Sequence, residues 1–207
     1  MIAIVDYGVG NLFSLKCSFA AVGENAVVTS DKSEIKNADK IVLPGVGAFG
    51  DAARKLKEQN LDILLKDEAK SGKPILGICL GMQLLFEKSF EYGEHAGLAL
   101  IPGAVRPISD VISGDLKIPH MGWNALNFHG KKHPAFKYSS EGDHVYFVHS
   151  FYADTPEEFV LATAEYGAPL TAAAANGNVI GCQFHPEKSG KAGLGILKAF
   201  CETEKSR

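Results

Sequence analysis

Short apolar runs alternate with helically spaced ones through residues 1–90. Ile2–Val5, Ala26–Thr29, Lys40–Leu43 and Pro74–Ile78 are apolar runs of strand length. Between them, Asn11–Val22 places Leu12, Leu15, Phe19 and Val22 on one helical face. Asp51–Gln59 and Leu61–Lys70 repeat that spacing, and Leu80–Lys88 reads as a helix after the fourth run. Near-continuous apolar strands separated by helices predict a parallel sheet covered on both faces. The second half changes character. Ala104–Ile108, Asn124–Phe128, Val145–Phe151, Val160–Tyr166, Thr171–Ala175 and Val179–Phe184 read as strands joined by turns, with a hairpin at Asn176-Gly177-Asn178. Gly190–Glu202 closes the chain as a helix whose apolar side carries Leu194, Leu197, Phe200 and Cys201. The pattern predicts one α/β domain over residues 1–207, an open, mostly parallel sheet with helices on both faces and an antiparallel extension.

Composition narrows the classes of function. A net charge of −3, with 22% charged and 46% hydrophobic residues, argues against nucleic-acid binding driven by bulk positive charge. The first residues, Met-Ile-Ala-Ile-Val-Asp-Tyr-Gly, lack a basic segment and read as a strand, not a signal peptide. The longest apolar stretch, Pro74–Phe86, contains Gly77 and Gly81 and falls short of the ~20 residues of a membrane span. The four cysteines form no CxxC pair, which suits a reduced, cytoplasmic protein. No metal is expected. Cys182 and His185 would point to opposite faces of a strand, and Gly130 and Pro134 break the helix that His129 and His133 would need.

Glycine is the outlier, at 22 of 207 residues. Three clusters follow apolar strands: Gly8 with Gly10; Gly45, Gly47 and Gly50; and Gly77 with Gly81. Ligands of open parallel sheets bind beyond the carboxyl ends of the strands, where glycine lets backbone approach them. Residues 45–50 match the dinucleotide fingerprint GxGxxG, and Asp67 and Glu68 lie near the distance of its acid. The fingerprint belongs to a first strand, however, and this is the third; a loop offering backbone N–H groups to an anion fits as well. The third cluster is sharper. Gly77-Ile78-Cys79-Leu80-Gly81 between a buried strand and a helix is a nucleophile elbow carrying sulfur. It presents Cys79 at a helix N-terminus, where thiolate is favoured. His185 ends an apolar strand at the same kind of edge, and Glu187, two residues on, shares its side if the backbone is extended. Together they form a nucleophile, base and orienting acid for acyl transfer. Cys17 and Cys201 lie in helix patterns and read as packing residues.

Residues 74–83, Pro-Ile-Leu-Gly-Ile-Cys-Leu-Gly-Met-Gln, with Phe184-His185-Pro186-Glu187, resemble the triad (class I) glutamine amidotransferases. The whole chain further resembles the glutaminase subunits of imidazole glycerol phosphate synthases. The segments that carry this are Asp6–Leu12, Leu43–Phe49, Pro119-His120-Met121-Gly122-Trp123-Asn124 and Tyr146–Ser150. The resemblance implies a flavodoxin-like fold and glutamine hydrolysis through Cys79, His185 and Glu187, without a cofactor. It implies an oxyanion site at Gly45, Val46 and Leu80, and glutamine contacts at Gly47, Gln83 and Ser150. It also implies ammonia delivery to a (β/α)₈ cyclase partner in histidine biosynthesis, with Asn11, Met121, Trp123 and Lys188 at or near the interface. Phe151 departs from the tyrosine that relatives often carry there, which removes one hydroxyl contact. Two other readings stand beside it: a hydrolase of other γ-glutamyl amides, and a flavodoxin-like anion-binding module with an inert Cys79.

Overall fold

The computed structural model describes residues 1–112 and 115–204. Its first half comprises β1 (Ile2–Val5), α1 (Leu12–Ala21), β2 (Ala26–Thr29), α2 (Lys32–Asn37), β3 (Lys40–Leu43), α3 (Phe49–Glu58), α4 (Leu61–Lys70), β4 (Ile75–Ile78) and α5 (Leu80–Leu84). Then follow β5 (Phe86–Ser89), β6 (His95–Ala96), β7 (Ile101–Pro107), β8 (His120–Ala125), β9 (Asn127–Phe128), β10 (His144–His149), β11 (Phe151–Asp154), β12 (Val160–Glu165), β13 (Pro169–Asn176), β14 (Val179–Cys182) and α6 (Gly190–Cys201).

The main sheet has the order β2-β1-β3-β4-β14-β13-β12-β9. Its members from β2 to β14 pair in parallel, and β13, β12 and β9 extend it antiparallel. The fold is thus α/β with a mostly parallel central sheet, as the pattern predicts. The two faces explain why the strands are apolar throughout. Ala3, Val5, Ile41, Leu43 and Ile75 pack with Leu56, Leu61 and Leu65 on one side. Ile2, Ile4, Val42, Leu76 and Ile78 pack with Leu15, Phe19, Ile196, Leu197 and Phe200 on the other. Each of the valine, leucine, isoleucine and phenylalanine side chains among them, fully buried, contributes about 1.5–3 kcal/mol.

Several elements differ from expectation. The helix after Cys79 stops at Leu84, and Phe86–Ser89 becomes a strand. Phe86 and Ser89 are buried, Glu87 is exposed and Lys88 half-buried; β5 lies between β7 and β6, and its register with β7 shifts between Phe86 and Lys88, which breaks the strict alternation. The strand expected at Asn124–Phe128 is two strands, β8 pairing β10 and β9 pairing β12. The strand expected at Val145–Phe151 breaks at Ser150: β10 pairs β8, whereas β11 joins β7. The antiparallel half is therefore split between the main sheet, a two-stranded ribbon and a four-stranded sheet. Helix α2 was not anticipated; Asp31 starts it by accepting from the N–H groups of Ser33 and Glu34 at 2.7 and 3.0 Å. No described helix is long and apolar enough to cross a membrane.

Candidate active site

Strand β4 runs directly into α5, and Cys79 is the single residue between them. Its φ of 54° lies in the left-handed region that non-glycine residues rarely occupy. Its N–H donates to Cys182 O at 2.8 Å, and its carbonyl accepts from Gln83 N–H at 3.1 Å. The flanking glycines are required by contact. A Cβ on Gly81 would lie 1.8 Å from Leu43 O, and one on Gly77 would lie 2.7 Å from Gly81 O. On Gly45 it would meet the Tyr7 hydroxyl at 2.8 Å and Gly81 N at 2.9 Å. Tyr7 O–H donates to Pro44 O at 2.7 Å, and burial raises its pKa above the usual range. The elbow and the Gly45 loop are thus packed backbone to backbone.

His185 comes from the segment after β14. Its N–H donates to Tyr146 O at 2.9 Å, and its carbonyl accepts from Ser189 Oγ at 2.6 Å. Ser189 Oγ in turn accepts from Tyr146 N–H at 3.0 Å, so the ribbon strand β10 grips the histidine backbone from two sides. His185 Nδ1 lies 2.9 Å from Glu187 Oε1. That contact is not made along an extended strand, as the spacing suggested. Pro186–Lys188 is a 3-10 turn that folds Glu187 back under the ring. Burial by itself lowers the pKa of His185, but hydrogen bonding with Cys79 and Glu187, together with their charges, outweighs it and raises the group to about 9. The imidazole is therefore a cation at neutral pH, held between a sulfur and a carboxylate.

Cys79 and His185 open onto a cavity of about 340 Å³. Val46, Gly47, Leu80, Gln83 and Ser150 line the same cavity. Gly45 lies behind the wall, against the elbow. The GxGxxG loop thus contributes to this pocket, and Glu68, the acid that would accompany a dinucleotide, is buried and paired with Lys73 at 2.6 Å. Of the residues expected at an interface, Met121 and Trp123 project from β8 with 60% and 53% exposure, and Lys188 is exposed. Trp123 contacts Tyr146 edge-on at 5.8 Å, and Lys188 Nζ lies 5.7 Å from the Tyr146 ring. Asn11 is half-buried at the start of α1.

Three further polar residues belong to the site. Gln183, fully buried, directs Nε2 toward Cys79 Sγ at 3.8 Å and accepts from Gln83 Nε2 at 2.9 Å. Glu91 places a carboxylate in the cavity wall and accepts from Phe49 N–H at the start of α3. His149 lines the cavity next to Ser150. Gln183 stands beside His185 in the sequence and alternation could have found it; nothing local marks Glu91. Of the remaining cysteines, Cys182 is buried with its pKa pushed well up by desolvation, and Cys201 is half-buried and pushed up to about 12 by the same cause. Cys17 is exposed, contrary to its reading as a packing residue.

A backbone-strained cysteine at a strand–helix junction, beside a histidine cation and a buried glutamate, is an arrangement able to support thiol-dependent acyl transfer. The pattern of the family "Glutamine amidotransferase class-I" matches residues 3–202, and the chain belongs to that family. It is similar over nearly its whole length to the imidazole glycerol phosphate synthase subunits HisH. That of Lactococcus lactis is 50% identical, covering 97% of this chain and 98% of the relative. That of Oceanobacillus iheyensis is 47% identical, covering 98% of each. Within the class, the chain therefore falls in the HisH family. Among solved structures, one described as a glutamine amidotransferase superposes with a TM-score of 0.74 at 17% identity, over 97% of this chain and 100% of the other. PurLQS from Thermotoga maritima gives 0.74 at 20% identity, over 97% and 96%. These two similarities establish the shared fold.

Proposed function

We propose that the chain is the glutaminase subunit of an imidazole glycerol phosphate synthase, and that residues 1–207 act as one class I amidotransferase domain in the cytoplasm. The observation that carries the reading is Cys79, strained at the elbow, opening onto the same cavity as a His185 that Glu187 holds at 2.9 Å.

The chemistry follows from those positions. The Cys79 thiolate attacks the side-chain carboxamide carbon of glutamine. The carbonyl oxygen becomes an oxyanion that the N–H groups of Leu80 and, once the Gly45–Val46 peptide is suitably turned, Val46 can meet. As the C–N bond breaks, His185 gives its proton to the departing nitrogen and ammonia leaves. A glutamyl thioester remains on Cys79. His185, now neutral, takes a proton from water as its oxygen attacks the thioester, and thiolate and glutamate separate. Glu187 keeps the imidazole oriented and stabilises its charged form. Gly47, Gln83 and Ser150 hold the amino-acid end of the substrate. Glu91 supplies the negative charge that a substrate ammonium requires.

Ammonia then passes to a (β/α)₈ cyclase subunit, whose docking face would meet the exposed Met121 and Trp123 together with Asn11 and Lys188. The contact of Trp123 with Tyr146, whose carbonyl holds His185, supports a coupling between that face and the triad. The experiment is glutamine turnover by the chain alone and with the ligand-loaded cyclase. Weak activity alone with strong stimulation in the complex is expected. A γ-glutamyl hydrolase would be equally active without the partner, and an anion-binding module would not turn glutamine over at all.

A further inference from the structure

Two buried histidines that take no part in the chemistry above lie between the ribbon and the glutamine pocket. His120 on β8 and His149 on β10 are register partners, with 0% and 6% exposure. His120 Nδ1 is 3.0 Å from His149 Nε2. The outer nitrogens are also engaged: His120 Nε2 is 2.9 Å from Asn124 Oδ1, and His149 Nδ1 is 2.8 Å from Phe151 O. Asn124 donates its amide nitrogen to Glu165 O at 2.9 Å, which turns its oxygen toward His120.

Counting protons along this row exposes a conflict. Phe151 O and Asn124 Oδ1 can only accept, so each outer contact needs a ring N–H, and the middle contact needs a third. Two neutral imidazoles carry two. Burial lowers the pKa of both rings, that of His149 to about 3, so the pair is neutral near pH 7. While Asn124 Oδ1 faces His120, one contact in the row is then without its proton. If Asn124 keeps its oxygen toward His120 and both rings donate in the same direction, His120 donates to Asn124 and His149 donates to His120. The Phe151 carbonyl then loses its imidazole donor. If the Asn124 amide turns over and donates to His120, both rings change tautomer and His149 donates to Phe151, so the row is fully served but the donation of Asn124 to Glu165 O is lost. The row therefore has discrete states, and Asn124 chooses between them.

Both ends of the row lead somewhere. Asn124 shares β8 with the exposed Met121 and Trp123. Phe151 O also accepts from Gln83 Nε2 at 3.1 Å; the same nitrogen reaches Gln183 Oε1 at 2.9 Å, and Gln183 Nε2 faces Cys79 Sγ at 3.8 Å. We propose that His120 and His149 are positioning residues, a tautomer-switching pair that relays contacts on the exposed face of β8 to Phe151 O and through it to Gln83 in the glutamine pocket. The proposal rests on the reading of the chain as a partner-stimulated glutaminase. A relay of this kind needs an element with two arrangements that both sites can bias, and the proton count supplies one.

The test uses the full chain with and without the cyclase loaded with its phosphorylated ribulosyl substrate. His120→Phe keeps a flat ring between Phe147 and Tyr166, whose centroids lie 4.9 and 4.1 Å from that of His120, and removes both nitrogens. Its glutaminase activity alone should match that of the parent chain, while stimulation by the partner falls about tenfold or more, in kcat and not in KM. Full stimulation of the variant overturns the relay. An unstimulated parent chain overturns the partner-coupled function itself, and the relay with it. A second measurement does not depend on the variant folding. With ¹⁵N-labelled histidine, the His149 ring signals of the parent chain should exchange tautomer character when the complex forms. Unchanged His120 and His149 ring-nitrogen shifts in a stimulated complex also overturn the relay.

Discussion

His185 Nδ1 sits 2.9 Å from Glu187 Oε1, and the glutamate side chain is only 1% exposed. A carboxylate at that distance and burial favours the charged imidazole, against the opposing effect of desolvation. The charged form is present below about pH 9 and is lost as pH rises through it. Because departure of ammonia needs the His185 proton, glutamine turnover should fall on the alkaline side near that value. In Glu187→Gln the supporting charge is gone, so the alkaline limb of the kcat/KM profile should move to lower pH. A limb that stays in place would show that another group governs it.

Loss of the nucleophile should separate the two half-reactions. Cys79→Ala is expected to lower glutamine-dependent synthesis by a factor on the order of 10⁶ while ammonia-dependent synthesis in the complex persists. Glu187→Gln should cost less, since an orienting group contributes less than a nucleophile. Assaying both nitrogen sources with each variant checks this.

Glu91 should act on binding. Glu91→Gln removes negative charge from the cavity wall while leaving an oxygen that can still accept from Phe49 N–H. KM for glutamine should rise about tenfold with kcat little changed, the sign of an interaction made equally in ground and transition states. Steady-state kinetics in the complex reads the split.

The buried pair Lys73–Glu68 predicts a stability effect without a catalytic one. Their side chains are 6% and 10% exposed, and Lys73 Nζ also donates to Lys36 O at 2.6 Å. Lys73→Met leaves Glu68 buried without its cation and should cost about 3–5 kcal/mol. Adding Glu68→Leu should recover most of that. Denaturant unfolding of the single and double variants measures it, and the double variant should turn over glutamine normally.

The elbow should tolerate no side chain at Gly81. Gly81→Ala drives a methyl to 1.8 Å from Leu43 O, backbone against which nothing flexible can yield. A cost of about 3 kcal/mol or more is expected, and a melting temperature lower by roughly 6–12 °C follows for a chain of this size. Calorimetry tests this, and glutaminase activity should fall with it.

What could be read from the chain divides along physical lines. Strands β1 to β4 and β14 show in the sequence because burial on both faces makes each a near-continuous apolar run. The elbow shows because two glycines must flank Cys79 for its turn to pack. The end of α5 at Leu84 does not show, since Leu84-Leu85-Phe86 suits a helix as well as a strand and the small sheet decides the matter. The break at Ser150 is equally silent: residues 144–154 alternate well enough for one strand, and only the presence of two partner sheets divides them. That break puts Ser150 in the pocket wall. Glu91 and the His120–His149 pair depend on contacts between segments far apart in the chain, and no local spacing encodes them.

The central claim, that Cys79 is the nucleophile of a glutamine site, is tested most directly by covalent labelling. The complex with ligand-loaded cyclase is treated with a glutamine-shaped diazoketone, and the label is located by peptide mapping. The account predicts one label, on Cys79, blocked by excess glutamine and absent from Cys79→Ala. Labelling of the exposed Cys17 in place of Cys79, or no label on a chain that is turning glutamine over, would contradict it.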